Sequence, residues 1–154
     1  MTALAWLEST SVAIAVGGSL TLTASLSAAH LLGFTLLSGA ALVLHLRLVG
    51  AMLQRTALLE VSRPAGVLVA IGLTVSIVTG FLLFAARATS VGANGIFQTK
   101  MSLLVIAVVW QASLQYRLAR ATPLSPRSAP AIGAIGLLVW LSLAVTACAF
   151  ILLE

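Results

Sequence analysis

Two histidines, His30 and His45, stand inside one long uncharged stretch of the chain. An imidazole can ligate a metal or carry a proton near neutral pH, and in an apolar run its ring nitrogens need partners. The spacing is 15 residues, about 22 Å along a helix and about 60° around it. On one continuous helix the two cannot share a metal ion or clasp opposite faces of one flat cofactor. They are two separate candidate sites, one towards each end of the element that carries them.

Little else in the sequence could do chemistry. There is no Asp, and Glu8, Glu60 and Glu154 all fall at segment ends. A carboxylate relay or a paired-carboxylate active site has nothing to work with. Serines are plentiful, but a hydrolase triad lacks an acidic orienter. No phosphate-cradling glycine loop precedes a lysine. Cys148 is the single cysteine, which excludes an intrachain disulfide and a cysteine-based metal motif. Met52 and Met101 are isolated in sequence, where copper chemistry would want clustered Met, Cys and His.

The elements that position the histidines follow from composition. Of 154 residues, 61% are hydrophobic and 7% charged, against roughly 45–50% and about 25% in a soluble domain. So few charges cannot cover a soluble globule, and disorder needs the opposite balance. At about 20 residues per span, the length allows four or at most five membrane helices. The expected fold class is all-α: an integral membrane four-helix bundle with an N-terminal interfacial segment, forming one membrane domain over 1–154. The net charge of 8 − 3 = +5 does not point to nucleic acid, because the basic residues sit in short loops where they set topology and touch lipid headgroups. No basic residue precedes Arg47, so the start does not read as a signal peptide.

Residues 9–46 carry no formal charge. One straight helix of that length would be about 57 Å long, nearly twice the hydrocarbon thickness. Gly17-Gly18, followed by Ser19, Thr21 and Thr23, is the expected break. Residues 3–16 then read as an interfacial helix anchored by Trp6, and the first span as about 20–50. A competing reading makes 11–28 a separate span with a tight turn before His30. Pro64 suits the first turn of a second span, about 65–86. Residues 89–95 read as a turn-rich loop, 96–116 as the third span, 120–127 as a loop with Pro123 and Pro126, and 130–153 as the fourth span. Arg47, Arg55, Arg63, Arg117, Arg120 and Arg127 then share one side, against Arg87 and Lys100 on the other. The positive-inside rule makes the six arginines cytoplasmic and both termini external, with His30 outward and His45 inward. Gly72, Ser76 and Gly80 form a small-residue stripe for close helix packing or for a flat cofactor.

One histidine per leaflet on one helix resembles the arrangement in di-haem cytochromes b, which use four histidines from two helices. This chain would supply two, and a parallel homodimer the other pair. That reading makes His30 and His45 haem b ligands, with Gly33 leaving room for the macrocycle. Lys100 and Arg87 would pair with outward propionates and Arg47, Arg55 or Arg117 with inward ones. The plainer reading gives each histidine a hydrogen bond to a serine or a backbone carbonyl across helices, or places His45 in the headgroup zone beside Arg47.

His30-Leu31-Leu32-Gly33, Leu46-Arg47-Leu48-Val49-Gly50, Thr79-Gly80-Phe81-Leu82-Leu83-Phe84 and Phe97-Gln98-Thr99-Lys100 resemble the pattern of a bacterial family of small four-helix membrane proteins. That pattern is H-L-x-G, an acidic residue before L-R-L-x-G, then T-G-x-x-x-F and F-x-x-K. His45 and Leu46 occupy the neighbourhood where the acidic residue is common, so His45 departs from the pattern and the resemblance favours His30. The family is also distantly similar to CopD-type copper-resistance membrane proteins. The resemblance implies the fold and a bacterial inner-membrane location. The leading expectation is a small b-type cytochrome for electron transfer, as a homodimer or as a subunit of a larger complex. The runner-up is a cofactor-free accessory subunit, and copper handling ranks third. An electron-transfer or accessory subunit is expected ahead of an enzyme.

Overall fold

The computed structural model describes residues 2–120, 124–125 and 127–153. Among these, seven helices and no strand form: α1 (Ala3–Glu8), α2 (Ser11–Gly17), α3 (Leu20–Val49), α4 (Leu58–Ala85), α5 (Ala88–Ala93), α6 (Gly95–Ala119) and α7 (Ser128–Leu153). Four of them, α3, α4, α6 and α7, are long and apolar enough to cross a membrane. This is the all-α membrane bundle that composition demands.

The breaks are made by hydroxyl and glycine chemistry. Thr2, Thr10 and Ser19 each accept the third following amide, from Ala5, Ala13 and Leu22, and so start α1, α2 and α3. The expected helix over 3–16 is therefore two short ones, because Ser9 turns its hydroxyl back onto the Trp6 carbonyl and Thr10 caps anew. Gly17 and Gly18 separate α2 from α3 as expected, and α3 runs unbroken past His30, so the separate span over 11–28 does not form. Gly50 ends α3 in the left-handed conformation (φ 84°). There Ala51 N–H reaches back to Leu46 O at 3.0 Å and Gly50 N–H to Arg47 O at 3.2 Å, which closes the helix where a β-carbon would be strained.

Two boundaries differ from expectation. Helix α4 starts at Leu58, so Pro64 lies inside it and not in its first turn. Glu60 near the N-terminus suits the helix dipole there, and burial of Val61, Ser62 and Ala65 holds the extra turns. Part of the 89–95 segment coils as α5, whose first turn is held from outside by Glu8: its carboxylate accepts Thr89 N–H at 2.9 Å and the Thr89 hydroxyl at 2.8 Å. Asn94 then caps α6 by accepting from Ile96 and Phe97 N–H. Of the expected 120–127 loop, Pro123 and Pro126 lie outside the described residues, as does Glu154.

Helix α3 is the centre of the bundle, with α4 on one side and α7 on the other, and α6 closes the ring against α7 and α4. The small stripe of α4 faces α3. A β-carbon on Gly72 would lie 2.6 Å from Gly33 O and Leu37 N, so the two backbones touch. Core layers stack outwards from this seam. Ala40, Leu44, Leu48, Val61, Ala65, Leu114 and Leu118 fill the arginine-bearing end, and Leu37, Ala41, Ala107, Trp140 and Leu143 the middle. The outer faces stay apolar, with Leu20 87% exposed and Leu138 67%. In water such faces would aggregate; in a bilayer they meet acyl chains.

Candidate functional site

The histidines occupy two layers of the same helix, and the fold treats them differently. His30 is half-buried against α4. Its Nδ1 lies 3.0 Å from Ser76 O and 3.3 Å from Thr79 Oγ1. The carbonyl can only accept, and the Thr79 hydroxyl already donates to Val75 O at 2.6 Å. Both partners therefore ask for a proton on Nδ1, which leaves the lone pair of the neutral ring on Nε2. Gly80 makes this possible, since a β-carbon there would sit 2.8 Å from His30 Cε1.

Residues at the same end of the bundle gather near this layer. Phe97 stacks on Phe84 with centroids 5.2 Å apart and leans on Phe150 at 5.8 Å, so the rings tie α4, α6 and α7 together. Lys100, one turn along α6 from Phe97, holds its ammonium 5.4 Å from the Phe150 centroid. Gly33 has a different task from the one expected of it. A β-carbon there would lie 2.8 Å from Ser76 Oγ, so its missing side chain admits α4 and leaves no slot for a macrocycle.

His45 is fully enclosed in the protein interior. Its Nε2 lies 3.1 Å from Gln111 Oε1 on α6. On the α7 side Gly136 lies so close that a β-carbon would collide with the ring, and a β-carbon on Gly133 would lie 2.8 Å from His45 O. Sequence reasoning missed Gln111, Gly133 and Gly136. The available signals were an amide inside an apolar span and two glycines three residues apart.

Arg47 is committed elsewhere. Its guanidinium donates to Thr56 O at 2.9 Å and to Gln54 O at 3.3 Å, and so staples the α3–α4 connection. The structure thus brings together His30, Ser76, Thr79 and Gly80 on one level. It keeps His45 and Arg47 apart from them, about 22 Å away along α3. Among the described residues no group of three or more His, Cys, Asp or Glu side chains converges on a metal position. Cys148 is exposed.

The residues fit a haem unequally. His30 fits: an imidazole that donates Nδ1–H to a carbonyl and keeps Nε2 as the ligating nitrogen is the usual state of a metal-bound histidine. His45 does not, because its Nε2 is taken by Gln111 and the rest of the ring lies against Gly136. No curated protein and no solved structure matches the chain. Residues 5–152, nearly the whole chain, match one family, and the protein belongs to it: the Family of unknown function (DUF6644).

Proposed function

We propose that this protein is a small membrane electron-transfer subunit of the b-type cytochrome kind, with His30 as its haem ligand. One observation carries the reading: the Nδ1–H donated to Ser76 O orients the ring and leaves Nε2 free to ligate. Bound haem would supply one-electron chemistry. The chain's own part is to hold the His30 tautomer through Ser76 and Thr79, and to offer the Lys100 ammonium to a propionate. A further haem ligand would come from outside the chain, from His30 of a second copy or from a partner subunit. His45 and Arg47, first expected as inward ligand and inward propionate partner, have no part in this reading. The location is the bacterial inner membrane, with the arginine-rich end cytoplasmic and His30 towards the outer leaflet.

A second reading rests on a different observation. Both histidines already have partners across helices, His30 on α4 and His45 on α6, which is what a cofactor-free accessory subunit needs. Copper handling finds no clustered ligand set among the described residues.

One measurement separates the two. The protein purified from haem-replete cells should show sharp reduced α-bands on dithionite addition, and His30→Ala should abolish them while His45→Ala leaves them. With His30 shared between two copies, haem should amount to about one per two chains. A featureless spectrum from wild type would refute the cytochrome reading and leave the accessory subunit.

A further inference from the structure

His45 and Gln111 form a closed pair whose hydrogen bonding does not balance. They are 0% and 2% exposed, and beyond their mutual bond His45 Nδ1 and Gln111 Nε2 have no protein partner. The imbalance survives every way of placing the protons on a neutral ring. With the proton on Nε2, the ring donates to Oε1, which leaves Nδ1 a bare acceptor and the amide NH2 a bare donor. With the amide turned, its N–H donates to Nε2 and the ring proton sits on Nδ1. Then Nδ1–H is the bare donor and the amide oxygen the bare acceptor. In both cases one donor and one acceptor are left on two touching side chains. A charged ring would leave two bare donors and a buried cation. No carboxylate faces it from α3, α6 or α7, since the described glutamates are Glu8 in α1 and Glu60 in the first turn of α4.

A third unpartnered group lies in the adjoining layer. Trp140, one turn beyond Gly136 on α7, is 1% exposed and its indole N–H has no protein partner. It packs with Ala41 and Ala107, each one turn from His45 and Gln111 respectively. Small neighbours and a large donor therefore meet beside the bare pair. The flanking core residues, Leu44 and Leu48 on one side and Leu37 and Leu143 on the other, are apolar, so whatever meets the bare groups must be very small and both donate and accept.

We propose that this node holds a single water molecule. It donates to the bare acceptor of the His45–Gln111 pair and accepts from the bare donor, with Trp140 N–H as a third contact. Buried waters typically make about three such bonds. His45 is then a neutral ring whose two nitrogens are both hydrogen-bonded, and the polar pair costs the bundle little because none of its groups is left unmet.

The test uses the full chain, labelled with 15N-histidine and reconstituted in phosphatidylcholine bilayers. Because there are two histidines, His30→Gln leaves His45 as the one labelled ring. Magic-angle-spinning NMR should show one protonated and one unprotonated nitrogen, the latter shifted as for a hydrogen-bonded acceptor. Magnetisation should also pass from water protons to the ring N–H. Gln111→Leu, which removes one of the water's partners, should cut that transfer at least about twofold. A ring with no transfer from water, or with a free unprotonated nitrogen, overturns the proposal. So does a transfer that Gln111→Leu leaves unchanged. If that variant does not insert, the His30→Gln spectrum decides alone. The outcome is independent of whether His30 binds haem.

Discussion

Gly72 of α4 lies against the backbone of α3 at Gly33, where a β-carbon would fall 2.6 Å from the Gly33 carbonyl oxygen. The contact is one level of a seam that continues through Ser76 to Gly80, and from Gly33 to His30. It means that the polar contacts of His30 are set by how closely two helices approach. Gly72→Ala should therefore displace α4, lower stability by about 1–3 kcal/mol and disturb the His30 ring from two turns away. Detergent-induced unfolding and the His30 15N shift report the two effects. Normal stability with an unmoved ring would mean that the helices stand further apart than this seam.

Gly80→Leu acts on the same ring more directly. The new side chain would strike His30 Cε1, so the Nδ1 bonds to Ser76 and Thr79 should break. If His30 holds haem, the reduced α-band should fall several-fold while α-helix content by circular dichroism is kept. An unchanged band would show that His30 does not need that geometry.

The buried pair in the other half invites a double-mutant cycle. His45→Leu or Gln111→Leu alone strands a partner and should cost about 1–3 kcal/mol. The double variant removes both polar groups and should cost clearly less than the sum of the singles. Additive losses would argue that the two side chains do not interact.

Glu8 ties the N-terminal helices to α5 by accepting from both Thr89 N–H and Thr89 Oγ1. Glu8→Ala removes a charge-assisted bond at a helix start, and the Thr89 amide should exchange on the order of tenfold faster, about 1.4 kcal/mol. Amides of α3 should be unaffected, since the latch lies outside the four long helices. Equal protection of Thr89 in both proteins would remove the latch from the account.

Orientation is tested with reporter fusions. Insertions after Arg55 should behave as cytoplasmic and insertions after Gly92 as external, because six arginines share one end of the bundle. The opposite pattern would reverse the assignment of His30 to the outer leaflet.

The four long helices were legible in the sequence because a bilayer sets their length and hydropathy, and because Ser19, Gly50 and Asn94 mark their ends with local chemistry. The seam stripe on α4 was legible too, since its spacing of four falls on one helix face. What each polar residue meets was decided by tertiary structure. Gln111 lies 66 residues from its partner His45, and His30 bonds a backbone carbonyl, which leaves no mark in a sequence. The deeper reason is that these spans are apolar all round. A soluble helix shows its buried face by contrast with a polar one, but in lipid both faces are hydrophobic. Hydropathy and local caps therefore marked the four long helices, short of the early start of α4 at Leu58, and packing of small residues decided which way each histidine points.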